Sequence, residues 1–309
     1  MSVSRRDFLA RSVVTVAAAS VGRHALASAW QGQAAQWTPV FTPIRRNVGF
    51  YTGRGGTIGY LINADGVAVV DSQFPDAAAA CVAGLQERSG NRGVDVLINT
   101  HHHGDHTAGN VAFKGIARRV LAHARALELH KEVAARPGRG GQPPAEQLFA
   151  DRTFTDVWRE ELGDEWVRAR FHGRAHTSGD AVITFERANV AHMGDLMFNR
   201  RHPVVDRPAG ASMANWIVVI EAAIKEHSND TVYIFGHGGT NQPVTGPQAE
   251  VLHFRDYLTA LLAFVKAERA AGKSREEIVA IRTPLKGFDA HGNLTAGILG
   301  NAYDDVAEG

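Results

Sequence analysis

Residues 98–107 have the sequence INTHHHGDHT, in which a cluster of histidines and an aspartate directly follows an apolar run. The run, residues 94–98, is rich in β-branched and aliphatic side chains and is preceded by Gly93. This pattern predicts a buried strand that ends at the cluster. Since strand ends are rigid, such a strand would hold the polar side chains in fixed positions. We therefore take this stretch as the element that decides the fold.

The spacing within the cluster predicts half of a metal site. Alternate residues of an extended chain point to the same side, which directs His101 and His103 to one point and His102 elsewhere. The glycine that follows allows a sharp turn, so Asp105 and His106 can face a second point nearby. Imidazole and carboxylate ligands suit Zn²⁺ and similar ions. The alternative, a solvated histidine run like a purification tag, belongs at a chain terminus.

Further candidate ligands occur where later strand-like runs end. His176 follows the strand-like residues 166–171, Asp195 lies in the segment MGDLMF, and His237 follows the strand-like residues 231–235. A zinc ion with one open coordination position needs three protein ligands, and the cluster at 101–106 supplies two per ion. These later residues can supply the remainder.

Together, the motifs resemble those of the metallo-β-lactamase superfamily of hydrolases. The resemblance covers roughly residues 45–245, and all the main motifs occur in order. They are His-x-His-x-Asp-His at 101–106, His-Thr-x-Gly at 176–179, Gly-Asp-x-x-Phe at 194–198 and Gly-His-Gly at 236–238.

The resemblance implies two divalent metal ions, expected to be Zn²⁺, with Mn²⁺ and Fe²⁺ as alternatives. A bridging aspartate is the pattern of glyoxalase II-like thioesterases, lactonases and some phosphodiesterase and sulfatase relatives. The familiar lactamase branches carry a cysteine, or no ligand, at that position. The implied ligands are His101, His103 and His176 for one ion, Asp105, His106 and His237 for the other, and Asp195 as the bridge.

The fold implied by the resemblance is of the mixed α/β class, a four-layer αββα sandwich with the metals at one edge of two sheets. The implied activity is hydrolysis of an ester, lactone or thioester of a small molecule by a hydroxide held between the metals, with Asp105 as ligand and base. A β-lactamase is the first alternative. A non-hydrolytic metal-binding accessory protein of an exported pathway is the second, and a redox protein with a di-iron site is a third.

The N-terminal residues predict an exported protein. Residues 4–10 have the sequence SRRDFLA and precede a weakly apolar run at 13–21, and small residues follow at 25–29. This pattern is typical of a twin-arginine signal peptide, so we expect the export machinery of that pathway to recognise the precursor and the mature protein to be periplasmic. A membrane anchor is disfavoured because the run is short and rich in alanine and serine.

The composition, 44% hydrophobic and 21% charged residues, is ordinary for a soluble globular protein. Removing residues 1–29 takes away four arginines and one aspartate, which changes the formal charge from +1 to −2. Nucleic acid is therefore not an expected partner. We expect the single cysteine, Cys81, to be a packing residue. The predicted organisation is a signal peptide at 1–29, a linker at 30–44 and one hydrolase domain at 45–309; the sequence does not indicate an oligomeric state.

Several further elements follow from the pattern. Residues 48–52, 57–62 and 67–71 predict three strands in meander order, and residues 76–89 predict a helix. Four more helices are predicted at 124–135, 214–224, 247–271 and 274–281.

Three features are candidates for roles around the metals. Asp71 ends the third predicted strand and could orient a metal-bound histidine, or could serve as a simple turn residue. Residues 136–144 predict an active-site flap or a solvated linker. Arg200 and Arg201 lie a few residues after Asp195 and could clamp an anionic group of the substrate or cover a solvated edge.

Overall fold

The computed structural model describes residues 37–136 and 145–308. The predicted signal peptide and nearly all of the predicted loop at 136–144 lie outside the described residues, so both stay predictions. No helix in the described part of the chain combines the length and the hydropathy needed to cross a bilayer.

Seven strands form the first sheet, and they neighbour one another in chain order. They are β1 (Val40–Arg45), β2 (Val48–Thr52), β3 (Ile58–Ile62), β4 (Val67–Val70), β5 (Val96–Asn99), β6 (Val120–His123) and β7 (Arg152–Phe154). The first four strands form an antiparallel meander, whereas β4 to β7 run parallel. The parallel half brings the carboxyl ends of β4 and β5 to the same edge of the sheet.

Six strands form the second sheet, in the order β15, β13, β11, β10, β9 and β8, and two short strands form a separate parallel pair. In chain order the strands are β8 (Val157–Leu162), β9 (Glu165–Arg170), β10 (Val182–Phe185), β11 (Val190–His192), β12 (Phe198–Asn199), β13 (Val232–Ile234), β14 (His237–Gly238) and β15 (Thr245–Gly246). The parallel pairing of β11 with β13 again places two carboxyl ends side by side.

The described residues also contain α-helices, most of them on the outer faces of the two sheets. They are α1 (Pro75–Ser89), α2 (Gly104–Thr107), α3 (Ala124–Ala134), α4 (Met213–Lys225), α5 (Gln248–Ala270), α6 (Arg275–Val279) and α7 (Ala296–Glu308). The helix α1 begins at a proline, which needs no hydrogen-bond acceptor in the first turn, and ends before Gly90 in the left-handed conformation.

Alternation along β4 shows how the sequence builds the layers. Val67 and Val69 belong to a buried cluster shared with α1, whereas Ala68 and Val70 belong to a second cluster shared with the other sheet. Successive side chains of a strand point to opposite faces, so an all-apolar strand must be covered on both.

A third buried cluster covers the other face of the second sheet. It joins Ala191 and Tyr233 of that sheet to Trp216 of α4, Leu258 of α5 and Leu299 of α7. Three apolar clusters separate four layers, helix, sheet, sheet and helix, which confirms the predicted αββα sandwich.

Two elements differ from the sequence-based prediction. The first strand begins at Val40, inside the predicted linker 30–44, because Phe41 packs on Tyr51 with ring centroids 4.8 Å apart. The linker prediction is therefore wrong for residues 40–44. The C-terminal helix α7 was not predicted. As expected, Cys81 is buried in α1, and burial raises the pKa of its thiol.

Candidate metal centre

The predicted ligands converge at one edge of the two sheets. His101 to His106 follow β5, His176 lies between β9 and β10, Asp195 follows β11, and His237 follows β13 and opens β14. The structure thus brings together all seven side chains that the sequence analysis singled out as ligands. They form two groups with one carboxylate between them.

The first group consists of His101, His103 and His176. His103 Nδ1 lies 3.2 Å from His101 Nε2 and 2.9 Å from His176 Nε2. Nitrogen ligands of a tetrahedral zinc ion lie about 3.3 Å apart when each bond is about 2.0–2.1 Å. The first group therefore has the spacing of a metal site.

The second group consists of Asp105, His106 and His237. His237 Nε2 lies 3.3 Å from His106 Nε2 and 3.1 Å from Asp105 Oδ2, and the third pair, His106 Nε2 and Asp105 Oδ2, is 3.8 Å apart. The Asp105 carboxylate is 30% exposed, whereas the His106 side chain is completely buried. This second group is accordingly the more open side of the centre.

Asp195 faces both groups. Its Oδ2 lies 3.9 Å from His101 Nε2 and 3.5 Å from His176 Nε2, and its Oδ1 lies 3.0 Å from His106 Nε2 and 3.3 Å from His237 Nε2. The carboxylate is 4% exposed, and Oδ1 has no hydrogen-bond partner of acceptable geometry within the described residues. A buried, unpartnered anionic oxygen beside ring nitrogens is the arrangement that a cation completes.

The outward ring nitrogens of two histidines are fixed by Thr100 and Asp71. The Asp71 carboxylate accepts hydrogen bonds from the Thr100 backbone N–H at 2.7 Å and from its hydroxyl at 2.8 Å. Because the hydroxyl hydrogen is used there, His101 Nδ1 donates to Thr100 Oγ1 at 3.0 Å, which leaves the Nε2 lone pair directed to the centre. His106 Nδ1 donates to Asp71 Oδ2 at 2.7 Å.

Asp71 thus orients the candidate ligand His106, which is one of the two roles predicted for it. Its backbone has φ of 64°, a left-handed conformation that is uncommon for aspartate and costs conformational energy. The hydrogen bonds from His106 and Thr100 hold the residue in this conformation.

We expect Asp71→Asn to weaken metal binding about 10- to 100-fold, the usual effect of losing an outer hydrogen-bond partner. The asparagine oxygen can still accept from the Thr100 backbone, but its amide group cannot accept from His106 Nδ1. Titration with zinc against a chromophoric chelator measures the change. Asp95→Asn is the control, because Asp95 accepts from Val67 N at the opposite end of the same strands. Equal affinities in both variants would contradict this role.

The segment after β12 holds the other two histidines of the first group. His176 Nδ1 donates to Val204 O at 2.8 Å, and His103 Nε2 lies 2.9 Å from Asp206 Oδ2. Sequence reasoning missed Asp206, since it belongs to none of the four motifs and lies 103 residues from its partner. The chemical need for an acceptor on each metal-bound imidazole was the available signal.

Two glycines permit close approach at the centre. A Cβ atom at Gly56 would lie 2.1 Å from the His106 ring, and one at Gly236 would lie 2.1 Å from Asp195 Oδ1. Any side chain at either position would displace a candidate ligand.

The carboxylates and imidazoles shift one another's protonation. Burial lowers the pKa of His106, but Asp195 and Asp71 outweigh it and raise that pKa well above its usual value. For His237, burial also lowers the pKa, and Asp195 and Asp105 raise it to about 9. Burial and the neighbouring His106 hold the pKa of His101 well below its usual range. His106 and His237 therefore favour the protonated form without a metal, and binding of a divalent ion to their ring nitrogens would release those protons.

His102 points away from both groups, as its spacing predicted. Its Nε2 lies 3.5 Å from Asp206 Oδ2, and its buried Nδ1 has no partner within the described residues. His192 is not a ligand of either group: its Nε2 donates to Thr57 O at 3.0 Å, and its Nδ1 accepts from Gly194 N at 3.1 Å.

The two arginines predicted to bind substrate differ in their hydrogen bonds and in their exposure. Arg200 donates to Asn199 and to Glu250, so its charge is already paired within the protein. Arg200 also lines a cavity of about 520 Å³ together with Arg201, so its assignment as a substrate residue stays a prediction. Arg201 is exposed and lines a cavity of about 220 Å³ beside His237. It also lines the adjoining cavity of about 520 Å³, whose far wall is formed by residues 290–292.

A four-layer αββα sandwich with histidines and aspartates gathered at one sheet edge defines a metal-binding domain. The chain belongs to the metallo-beta-lactamase superfamily, whose family model matches residues 51–267.

Known proteins similar to this chain differ in their activities. The metallo-beta-lactamase type 2 of Bacillus cereus is 24% identical over 217 residues, 70% of this chain and 78% of the relative. The 2,4-dinitroanisole O-demethylase subunit alpha of Nocardioides sp. (strain JS1661) is 30% identical over 168 residues, 53% of this chain and 48% of the relative. In fold, the chain is similar to the stereoselective inverting sec-alkylsulfatase Pisa1 from Pseudomonas sp., with a TM-score of 0.65, 14% identity, and coverage of 86% of this chain and 50% of that one.

Proposed function

We propose that the protein is a dinuclear metal-dependent hydrolase of a small molecule. The observation that carries the proposal is the position of Asp195, whose two oxygens face two separate groups of ligands. A single ion would use only one of these groups. Zn²⁺ fits the nitrogen and oxygen ligand set, and Mn²⁺ or Fe²⁺ are the alternatives.

Bound divalent ions would lower the pKa of water and polarise a substrate carbonyl oxygen. The residues of the chain prepare this chemistry. Asp71 and Thr100 keep His106 and His101 in one tautomer, so the nitrogens that face the centre are free of protons when metal is bound.

Asp105 is the residue we assign to the attacking water. Burial raises the pKa of its carboxyl, but the hydrogen bond from His237 outweighs this and lowers the pKa to about 2. The group is therefore an anion at neutral pH. As the most exposed ligand of the second group, it can accept a hydrogen bond from the water and orient it for attack.

The cavities beside the centre support a small-molecule substrate. The smaller one contains His237 and glycines from the loops after β2 and β13, and the larger one adjoins it through Arg201 and Gly238. Arg201 places one positive charge between them and would favour a substrate that carries a carboxylate.

We infer that an ester, lactone or thioester is the bond hydrolysed, ahead of a β-lactam, because a bridging Asp195 resembles the esterase and lactonase branches. The test is kcat/KM of the zinc-loaded protein for matched lactone, thioester, phosphodiester and cephalosporin substrates. We expect the lactone or thioester to be the best substrate. Efficient cephalosporin hydrolysis with the others near background would establish the β-lactamase alternative, which the Bacillus cereus relative supports.

A matched pair of substrates tests the role of Arg201. Arg201→Gln should raise KM for a carboxylate-bearing ester and leave KM for its neutral methyl ester unchanged. Arg152→Gln, on the far edge strand β7, is the control. An equal change for both esters would contradict a charge-specific role.

We further propose that the precursor uses the twin-arginine machinery and that the mature protein is periplasmic. The support is the sequence of residues 4–29 alone. Cell fractionation after replacement of Arg5 and Arg6 by lysine tests this, and unimpaired export would contradict it.

A further inference from the structure

The turn after β12 supplies the outer hydrogen-bond partners of two ligands in the first group. Asp206 Oδ2 lies 2.9 Å from His103 Nε2, and Val204 O accepts from His176 Nδ1. Asp206 also caps the short 3-10 turn Arg207–Ala209 through its side chain, which accepts from Ala209 N. The same carboxylate therefore joins a metal ligand to the conformation of the turn.

This turn is hydrogen-bonded to the C-terminal helix α7. Arg207, the residue after Asp206, donates to Asp305 Oδ1 at 3.1 Å and also contacts Glu308. Asp305 is 8% exposed, and its second oxygen accepts from Ala214 N at 2.8 Å, at the start of α4. Removal of Arg207 would leave the largely buried carboxylate of Asp305 without its charged partner.

The start of α4 connects helix α7 to His176, the third ligand of the first group. Ser212 N, at the N-cap of α4, donates to Ala175 O at 3.0 Å, directly before His176. Ser178 donates to Ala209 O through both its backbone and its hydroxyl, at 2.9 and 2.7 Å. The loop of His176 and the turn of Asp206 are thus bonded to each other.

Asp71 gives the second group an outer partner that is independent of this network. Its carboxylate contacts His106 from the first sheet, and the other hydrogen bonds of that carboxylate are to Thr100. Thr100 in turn contacts His101. The hydrogen bonds of the Asp71 carboxylate do not involve the turn after β12 or helix α7. His106 and His101 are therefore oriented from the first sheet, whereas His103 and His176 are oriented from the turn after β12.

We propose that α7 positions the first group of ligands through Asp305, Arg207 and Asp206, and thereby sets the affinity of one metal ion without contacting it. Asp206 and Asp305 are positioning residues. The family match ends at residue 267, so α7 and Asp305 lie beyond the matched domain. The inference rests on the metal centre of the proposed function, but not on which bond is hydrolysed.

Stepwise titration of the full chain tests this. Zinc competition against a chromophoric chelator gives the two affinities, and the absorption spectrum of the Co²⁺-loaded protein reports the geometry at each ion. In Asp206→Asn we expect one affinity to fall about 10- to 100-fold, with the other unchanged. Asp206→Glu retains an acceptor and should recover part of the loss.

Asp305→Asn should weaken the same ion by a smaller factor and change the same Co²⁺ absorption bands. Asp304→Asn is the matched control, because Asp304 is the next residue back on α7 and pairs with Arg275 on α6. It should leave both affinities and the spectrum as in the unaltered protein. Far-ultraviolet circular dichroism and Tm establish that each variant is folded.

Three results would overturn the proposal. One is an unchanged affinity in Asp206→Asn, another is an equal loss at both ions, and the third is an Asp305→Asn variant with a lower Tm but unaltered affinities and spectrum. If the unaltered protein hydrolyses none of the substrates while Asp206→Asn and Asp305→Asn behave as expected, the proposed hydrolase fails and the positioning role stands.

Discussion

Asp195→Ala is expected to remove the metal pair and with it nearly all hydrolytic activity. The carboxylate is buried between four imidazole nitrogens. Its Oδ2 faces the first group of ligands, and its Oδ1 faces the second. Loss of an outer partner costs about 10- to 100-fold, so loss of the bridging ligand should lower kcat/KM by more than 100-fold. Metal analysis of the purified variant should find at most one ion per chain.

His102→Ala is the comparison variant for Asp195→Ala. His102 is buried and belongs to the same run of histidines, and its ring faces Asp206 and belongs to neither of the two ligand groups. It should retain two ions and most of the activity. If the two variants kept equal metal and equal activity, Asp195 would not be the bridge.

Chelation of the metals is expected to abolish activity and to lower Tm. An ion that binds only the folded state stabilises it by about 4 kcal/mol when its free concentration is 1,000 times Kd. For a domain of this size that corresponds to a change of roughly 8–16 °C in Tm. Two equivalents of Zn²⁺ added to the chelated protein should restore both properties.

Elemental analysis after reconstitution decides the number of ions. Two equivalents per chain are expected from two groups of three ligands and a shared carboxylate. One equivalent or less would contradict the dinuclear centre. Restored activity without a recovered Tm would show that the ions act in catalysis but add little to the free energy of unfolding.

Much of the fold and of the candidate site could be predicted because the ligands belong to short local patterns. His101 and His103 alternate at the end of an apolar strand, and that local geometry survives in any fold that buries the strand. The order of the motifs then implied the sandwich. The roles of the seven side chains as ligands stay predictions, although their convergence agrees with them.

The parts that could not be predicted depend on pairs far apart in the chain. Arg200 is paired with Glu250, 50 residues away, and Asp206 with His103, so neither relation leaves a local pattern. Asp71 had two interpretations, and its contact with His106, 35 residues away, agrees with the role of orienting a ligand. The strand β1 was missed because polar and apolar residues alternate only weakly along it. It is identified in the structure by the packing of Phe41 on Tyr51.

Each group of ligands takes side chains from both sheets, so the ions would act as cross-links. His103 and His176 lie 73 residues apart, and His106 and His237 lie 131 residues apart. A cross-link that closes a long loop reduces the entropy of the unfolded chain, as a disulfide does. With one cysteine the chain cannot form an internal disulfide, and bound metal ions would supply a cross-link of that kind between distant parts of the chain.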